Sequence, residues 1–202
     1  MVRIYVEGGG QDNLSKRLIR KGFNDFLGPL RDLARSQRIG WEVIPCGPRN
    51  IAFENFKLAL RTHPDAFNIL LVDSEDQVSL PRWEHLRQQD GWPPPGVPEE
   101  HCHFMVCTVE AWLVADPDAL AGYYGKNFNP KALPKHKDVE ATPKDQLFRG
   151  LKSATAQTAK RSYHKIRHCA DLLARLDRDR VRQRARHCDL LFTSLESLIR
   201  QS

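Results

Sequence analysis

The chain has 202 residues, of which 41% are hydrophobic and 28% are charged, a composition typical of a soluble globular protein. Its net charge of +6 favours anionic partners but is a mild excess, well short of that of a histone-like tail. No apolar run approaches the length needed to span a bilayer, which argues against a membrane-spanning protein.

The first ten residues, MVRIYVEGGG, form a strand-like segment that lacks the charged, apolar and cleavage regions of a signal peptide. We therefore expect a cytoplasmic protein. The chain has five cysteines, an odd number without a CxxC pair, which predicts free thiols in a reducing compartment. The residues HCH at 101–103 with Cys107 offer zinc-binding side chains, but nothing elsewhere supplies a second ligand pair with the usual spacing.

The first predicted unit is a strand, a glycine loop and a helix. Residues 3–6 are rich in β-forming side chains, Glu7 ends the strand, and three glycines follow at 8–10. The residue spacing of the next helix places a set of mainly apolar residues on one face, namely Leu14, Leu18, Gly22, Phe23 and Phe26. The glycines allow a close backbone approach to a ligand, but neither a Walker loop nor a dinucleotide fingerprint is present. Glu7 is therefore either an acid or metal ligand beside this loop, or a solvated strand end.

Three carboxylates follow the third predicted strand. A second strand over 41–44 and a helix over 51–60 lead to the apolar run FNILLV at 67–72. A run without polar alternation is typical of a parallel strand covered on both faces. It ends in Asp-Ser-Glu-Asp at 73–76, at the strand end where open α/β sheets place their chemistry. Such an oxygen-rich cluster suits Mg²⁺ or Mn²⁺, unless one acid caps the next helix and the others are solvated.

A fourth acid follows the next predicted strand. A proline-rich surface loop at 91–98, which we interpret as a connector, precedes a strand over 103–107. Glu110 comes just after this strand, in a helical segment. If the sheet is parallel, Glu110 lies level with Glu7 and Asp73, and these acids converge on one edge as a one-metal or two-metal site requires.

From Lys160 the pattern predicts a continuous helix. Tyr163, Ile166, Ala170 and Leu173 form its apolar stripe, and the opposite face is basic. The basic face either holds phosphate or is solvated.

The order of elements predicts an α/β domain over 1–124, a polar linker with a short helix over 125–159, and a helical C-terminal extension over 160–202 that packs on the α/β domain. Five arginines at alternate positions between residues 178 and 186 spread around a helix and are expected to be solvated. The predicted fold is α/β and Rossmann-like, with a mainly parallel four-stranded sheet flanked by helices.

Four motifs, VEGGG, LLVDSED, HFMVCTVEAWLVADPDAL and SYHKIRHCADLL, resemble an uncharacterised bacterial Toprim-like family, and the resemblance extends over nearly the whole chain. The Toprim domains of topoisomerases, bacterial primases and overcoming-lysogenization-defect nucleases carry a glutamate and glycine after the first strand and an Asp-x-Asp pair after a central one. The resemblance implies a Toprim-like fold and a Mg²⁺- or Mn²⁺-dependent nuclease acting on DNA or RNA. It also implies an AAA or ABC ATPase encoded nearby, in a setting of phage defence.

The resemblance assigns roles to the acids. Glu7 takes the role of the Toprim glutamate, a general acid/base or metal contact, and Asp73 and Glu75 take that of the metal-binding pair. Glu75 stands where the family has aspartate, so Asp76 is an alternative ligand, and Glu110 is the family's extra acid. The residues expected to bind phosphate are Gly8, Gly9, Gly10, Lys160 and Lys165.

Two functions of different classes remain after the sequence is considered. The first is the nuclease, with the basic C-terminal helices holding the nucleic-acid backbone. The second is a non-catalytic Toprim-like subunit that binds a partner ATPase or nucleic acid, favoured by the departure at Glu75. Phosphoryl transfer on a small molecule ranks third because no nucleotide-specific motif supports it, and homo-oligomerisation is left open.

Overall fold

The structure is a computed structural model that describes residues 1–10 and 12–201. Four strands form one sheet in the order β2-β1-β3-β4, and all neighbouring pairs are parallel. The strands are β1 (Val2–Glu7), β2 (Trp41–Gly47), β3 (Phe67–Asp73) and β4 (Cys102–Met105).

Helices flank this sheet and form the entire C-terminal part. Short 3-10 turns lie at Glu99–His101, Pro130–Ala132 and Val139–Ala141. The predicted α/β class, with a four-stranded parallel sheet and a helical C-terminus, is confirmed. The helices are α1 (Asn13–Phe26), α2 (Gly28–Ser36), α3 (Arg49–Thr62), α4 (Arg82–Asp90), α5 (Glu110–Ala115), α6 (Pro117–Tyr124), α7 (Lys144–Thr155), α8 (Lys165–Leu173), α9 (Arg178–Arg184) and α10 (Arg186–Gln201).

The central strand β3 is buried from Asn68 to Asp73, as its continuous apolar run predicts. It pairs with β1 in a register that sets Val6 opposite Leu71. The register with β2 shifts between Val6 and Glu7, which is an irregularity at the end of β1. Because β1 and β3 run in the same direction, the carboxylates that follow them lie at the same edge of the sheet.

The sheet is covered by helices on both faces. Helix α3 packs against β1, β2 and β3, and Phe56 of this helix meets Tyr5 edge to face, with ring centroids 6.4 Å apart. Phe26 of α1 stacks on Trp112 of α5 and meets Phe192 of α10 at a right angle. These aromatic contacts join the C-terminal helices to the core around the sheet.

The inward face of α1 differs from the prediction. Leu14 and Leu18 are 56% and 37% exposed, whereas Ile19, Phe23 and Phe26 are buried. At roughly 100° per residue, Leu14 and Leu18 lie about 90–130° around the helix from the centre of the buried face. The predicted face is therefore confirmed for Gly22, Phe23 and Phe26, which are buried, and wrong for the two leucines.

Helix α1 is joined to α8 by a close contact at Gly22. A Cβ atom on Gly22 would lie 2.6 Å from the carbonyl oxygen of Ala170, so the two helices can approach this closely only with glycine there. The contact fixes the position of α8, and with it that of the residues at its N-terminus.

The continuous helix expected from Lys160 is also wrong, because α8 begins only at Lys165. Arg161 has a positive φ of 66°, which interrupts a helix. Tyr163 is buried ahead of the helix, and Ile166, assigned to the apolar stripe, is 56% exposed. The turn before α8 therefore changes which side chains of this segment are buried.

Four of the five arginines expected to be solvated instead make specific contacts, among them Arg180, whose guanidinium pairs with Asp116 and Asp118. Arg178 donates to the last carbonyl oxygens of α1, and Arg184 donates to those of α5. Arg182 pairs with Asp189, with Nε and Oδ1 2.7 Å apart. These side chains fasten the C-terminal helices and are not a free basic surface.

The remaining sequence expectations concern the cysteines and the membrane. All five cysteines are buried free thiols, as predicted. Over residues 1–10 and 12–201, none of the helices is both long enough and apolar enough to cross a bilayer.

Candidate metal centre at the carboxyl edge of the sheet

Three carboxylates meet where β1 and β3 end. Glu7 is the last residue of β1, Asp73 is the last of β3, and Glu75 follows two residues later. One oxygen atom from each carboxylate lies within 4.8 Å of the other two. We call these three residues the acidic cluster. It is the one group of three or more potential metal ligands that the described residues form at this spacing.

The position of Glu7 is set by backbone contacts on both sides. Its Oε2 accepts a hydrogen bond of 3.0 Å from the backbone N–H of Asp73. The next residue, Gly8, exchanges two backbone hydrogen bonds with Gly47, of 2.8 and 3.0 Å. A Cβ on Gly47 would meet the carbonyl oxygen of Gly10 at 2.7 Å, so the glycine loop closes over the end of β2 only because Gly47 lacks a side chain.

Asp73 is 2% exposed and its carboxylate accepts three contacts. Its Oδ1 accepts from the backbone N–H of Val109 at 2.9 Å. Its Oδ2 lies 3.0 Å from Nζ of Lys165 and 3.1 Å from the hydroxyl of Thr108. Asp73 thus connects the end of β3 to the loop before α5 and to the first residue of α8.

Glu110 is fully buried beside the acidic cluster and is not a member of it. Its Oε1 accepts a 2.6 Å hydrogen bond from the hydroxyl of Tyr163, and its Oε2 lies 2.5 Å from the hydroxyl of Thr108. Nζ of Lys165 is 3.4 Å from the same Oε2. Because the Thr108 hydroxyl carries one proton, it can donate to Glu110 or to Asp73 but not to both at once.

Arg49 is a site residue that the sequence reasoning missed. Its guanidinium donates to the carbonyl oxygen of Asp73 at 2.6 Å and lies 3.7 Å from Glu7 and 3.5 Å from Glu75. Its other terminal nitrogen pairs with Asp90 at 2.6 Å. The sequence position of Arg49 could have indicated this role, because Arg49 is the first residue of α3 and directly follows the turn at the end of β2.

The proline-rich loop over 91–98 helps to hold Arg49. Trp92 stacks on Phe53, with ring centroids 4.3 Å apart and planes 3° apart. The guanidinium of Arg49 lies over the Trp92 ring at 5.1 Å. The loop therefore does more than connect two elements, because its one aromatic residue positions a cation of the site.

Of the remaining predicted site residues, Glu75 belongs to the acidic cluster, whereas Asp76 and Lys160 lie outside it. Glu75 has a positive φ of 65° and pairs with Lys144, whose Nζ lies 2.5 Å from Oε2. Asp76 is exposed and its carboxylate accepts from the next backbone N–H, outside the acidic cluster. Lys160 is also elsewhere, with its ammonium over the ring of Tyr123 at 4.9 Å.

The pKa values of two site residues are both raised, which favours the neutral form of Glu7 and the charged form of Lys165. Burial, and then the neighbouring Asp73 carboxylate, raise the pKa of Glu7 to about 7, although Arg49 partly opposes this. Burial lowers the pKa of Lys165, but the carboxylates of Asp73 and Glu110 raise it by more, so its net shift is upward. Lys165 is therefore a permanent ammonium beside two buried acids.

A cavity of about 240 Å³ opens beside these charges, between the glycine loop, α1 and α8. Glu7, Asp73 and Lys165 line one side of it, together with the backbone of residues 8–10. The apolar part of its lining consists of Ile19, Phe23, Pro48, Val109, Ile166 and Cys169.

The acidic cluster has the chemistry of a hard-cation site. Carboxylate oxygens are the ligands that Mg²⁺ and Mn²⁺ prefer in proteins. The side chains of Glu7 and Glu75 are 18% and 30% exposed, so the cluster is open to solvent on one side. The residues present therefore fit a divalent metal held by Glu7, Asp73 and Glu75, with Glu110 in an outer position.

A family model described as "Domain of unknown function (DUF4276)" matches residues 6–196. The chain belongs to the DUF4276 family. No curated protein and no solved structure matches it. The DUF4276 match runs from the end of β1 into α10, so the acidic cluster, Arg49, Glu110 and Lys165 all lie inside the family's domain.

Proposed function

We propose that this DUF4276 protein is a divalent-metal-dependent nuclease of Toprim type. The observation that carries the proposal is the acidic cluster, in which oxygen atoms of Glu7, Asp73 and Glu75 lie within 4.8 Å of one another. Lys165 and Arg49 border the cluster, so a phosphate brought to it meets cations as well as a metal-binding edge. The resemblance of the four sequence motifs to Toprim-like proteins supports the same function.

The roles of the residues follow from their contacts. A bound Mg²⁺ or Mn²⁺ would supply Lewis-acid polarisation of the phosphodiester and lower the pKa of a water ligand. Glu7 is placed to accept or return a proton beside Asp73. Lys165, anchored between Asp73 and Glu110, and Arg49, anchored by Asp90, are placed to stabilise negative charge on phosphate oxygens.

Cleavage assays with one matched control test the nuclease. Supercoiled plasmid, a single-stranded oligonucleotide and transfer RNA are incubated with the protein and Mg²⁺ or Mn²⁺. We expect metal-dependent cleavage that Asp73→Asn abolishes. The control, Glu54→Gln, removes an exposed acid of α3 whose one ion-pair partner among the described residues is Lys57, and it should cleave like wild type. Equal cleavage by wild type and Asp73→Asn would reject this site as the source of activity.

A second candidate is a non-catalytic subunit, and one observation favours it. Every acid of the cluster already faces a basic side chain. The pairs are Glu7 with Arg49, Asp73 with Lys165, and Glu75 with Lys144. A cluster neutralised in this way can keep its shape without a metal.

The two candidates differ in metal binding and in partners. The nuclease requires Mn²⁺ binding that Asp73→Asn weakens, which calorimetric titration measures directly. The non-catalytic subunit is supported if millimolar Mn²⁺ or Mg²⁺ gives no binding heat while the protein co-purifies with an AAA or ABC ATPase encoded beside it, the partner that the Toprim-like resemblance implies.

A further inference from the structure

We infer that the cavity between α1 and α8 receives the base of a single unpaired nucleotide, so that the substrate is a single strand or a locally unpaired one. This inference rests on the proposed nuclease function, which places a phosphate at the acidic cluster. The inference adds that a base binds next to this phosphate and that the nucleic acid is unpaired at this nucleotide.

The cavity has a charged side and an apolar side. Glu7, Asp73 and Lys165 form the charged side, at the carboxyl edge of the sheet. Ile19 and Phe23 from α1 and Ile166 from α8 line the apolar side. Because the proposed function places a phosphate at the charged side, a ligand that fills the cavity must join that phosphate to a compact apolar body.

The groups beside the charged side suit a phosphate. The glycine loop contributes backbone without side chains, and Gly9 and Gly10 have φ values of 90° and 56° that favour glycine. Helix α8 begins at Lys165, which lines the cavity, and among the described residues no side chain caps its N-terminus, so the positive end of the helix dipole is near this ammonium.

The apolar side suits a base. Within one nucleotide of a phosphodiester, the faces of the base are the only large apolar surface, since the sugar and phosphate are polar. In a duplex those faces are stacked on neighbouring base pairs and cannot enter a cavity unless the nucleotide is unpaired or flipped out. A cavity of about 240 Å³ is smaller than the ~300–1,000 Å³ of sites for drug-sized ligands, which fits one nucleotide unit and not a longer segment.

Ile166 is the residue that distinguishes this cavity from ordinary core packing. It is 56% exposed although it lines the cavity and directly follows Lys165. An isoleucine left in water at this position gains stability when a planar apolar group covers it. A base bound against it, with its phosphate at Lys165 and the acidic cluster, would do so.

Binding and cleavage experiments test the inference separately. Fluorescence anisotropy in a chelator measures binding of a labelled single strand and of the blunt duplex of the same sequence, without metal-dependent cleavage. The variant is Ile166→Ser, and the control is Leu58→Ser, which removes a 49% exposed leucine of α3 that does not line the cavity. We expect Ile166→Ser to weaken single-strand binding by about tenfold and Leu58→Ser to leave it unchanged.

A second probe is a strand with one abasic residue, whose cleavage next to the missing base should fall by about tenfold in Mn²⁺. Free mononucleotides are added as competitors. If free mononucleotides competed with the labelled strand as strongly as the unlabelled strand does, the cavity would be a site for a free nucleotide. That result would overturn the assignment to a strand.

Two results together would overturn the inference. The first is binding and cleavage of the duplex equal to those of the single strand, and the second is wild-type behaviour of Ile166→Ser. If that result came with cleavage that depends on Asp73, the nuclease would stand and only the cavity assignment would fail. If nothing were cleaved but Ile166→Ser still weakened strand binding, the nuclease would fail and the cavity assignment would stand.

Discussion

Asp73 and Lys165 are separated by 92 positions in the chain, yet Oδ2 of the aspartate and Nζ of the lysine are 3.0 Å apart. The same ammonium lies 3.4 Å from Glu110, which is fully buried. One cation at the start of α8 therefore offsets two acids that have little access to water. The helical C-terminal part thus contributes directly to the site at the edge of the sheet.

Replacing this cation should destabilise the protein. Removing one partner of a buried ion pair costs about 3–5 kcal/mol, but the Lys165 side chain is 39% exposed and water screens part of the loss. We expect Lys165→Met to lower the free energy of unfolding by about 1–3 kcal/mol, measured by urea denaturation at pH 7 in a chelator. Added Mn²⁺ should stabilise this variant more than wild type, because the metal replaces the missing positive charge.

The control for Lys165→Met is Lys160→Met, whose ammonium contacts only the Tyr123 ring among the described residues. Loss of such an exposed cation–π contact should cost at most about 1 kcal/mol. If Lys165→Met unfolded at the same urea concentration as wild type, the ammonium would not be offsetting the charge of Asp73 and Glu110.

The contact between α1 and α8 gives a second prediction. A methyl group at position 22 would lie 2.6 Å from the carbonyl oxygen of Ala170, so Gly22→Ala must push the helices apart. We expect a loss of about 1–3 kcal/mol in stability and, since α8 carries Lys165, a lower cleavage rate. The matched control is Gly122→Ala in α6, where a Cβ has open space.

Alanine is a better helix former than glycine, so Gly122→Ala should be neutral or more stable by up to about 1 kcal/mol. Urea denaturation of both variants and a cleavage time course measure the two effects. A Gly22→Ala protein as stable and as active as Gly122→Ala would show that the two helices tolerate a wider separation.

The sheet and its acidic edge could be predicted from the sequence because both depend on short-range patterns. The apolar run of β3 has no alternation, which marks a parallel strand, and parallel strands bring Glu7 and Asp73 to one edge. Lys165 was identified as a candidate, but its helix was assigned a start five residues too early, at Lys160. The positive φ of Arg161 that ends the predicted helix has no signal in residue type, since arginine rarely adopts it.

Arg49 shows the other limit of prediction. Its place at the start of α3 is the only local signal, and its contacts in the site come from partners far along the chain. Asp90 is 41 positions away, and Trp92 lies in a loop whose prolines suggested only a connector. Contacts of this kind depend on tertiary packing, which cannot be predicted from the local periodicity of apolar residues in the sequence.

Arg49 also gives a prediction about metal binding. Its guanidinium lies 3.5 Å from Glu75 and 3.7 Å from Glu7, where it competes with a metal for the same carboxylates. Removing the charge in Arg49→Gln should therefore strengthen Mn²⁺ binding by roughly fivefold, about 1 kcal/mol. Cleavage at saturating Mn²⁺ should fall by about tenfold, because the phosphate loses a cation.

Calorimetric Mn²⁺ titration and cleavage at saturating metal measure the two effects of Arg49→Gln. The control is Arg87→Gln, which removes a 60% exposed arginine that pairs with Glu84. It should change neither quantity. Weaker Mn²⁺ binding by Arg49→Gln would contradict the competition and indicate that Arg49 mainly orients the carboxylates.

His103 makes stability depend on pH in a defined direction. It is 1% exposed in β4, and its Nε2 lies 3.1 Å from the carbonyl oxygen of Glu100. Burial, and then the charge of Arg82, lower its pKa from 6.5 to about 3. Below pH 6.5 the unfolded chain therefore binds a proton at His103 that the folded protein does not, so stability falls as the pH falls from 6.5 towards 3.

Between pH 6.5 and 4.5 this histidine should lower the free energy of unfolding by about 2 kcal/mol. His103→Gln retains an N–H group that can donate to Glu100 but has no proton to bind in this range. We expect its stability to fall less steeply than that of wild type in urea denaturations at pH 6.5, 5.5 and 4.5. The control is His136→Gln, which changes an exposed histidine and should keep the wild-type slope. Identical slopes for His103→Gln and wild type would mean that His103 accepts a proton in the folded protein as readily as in the unfolded chain.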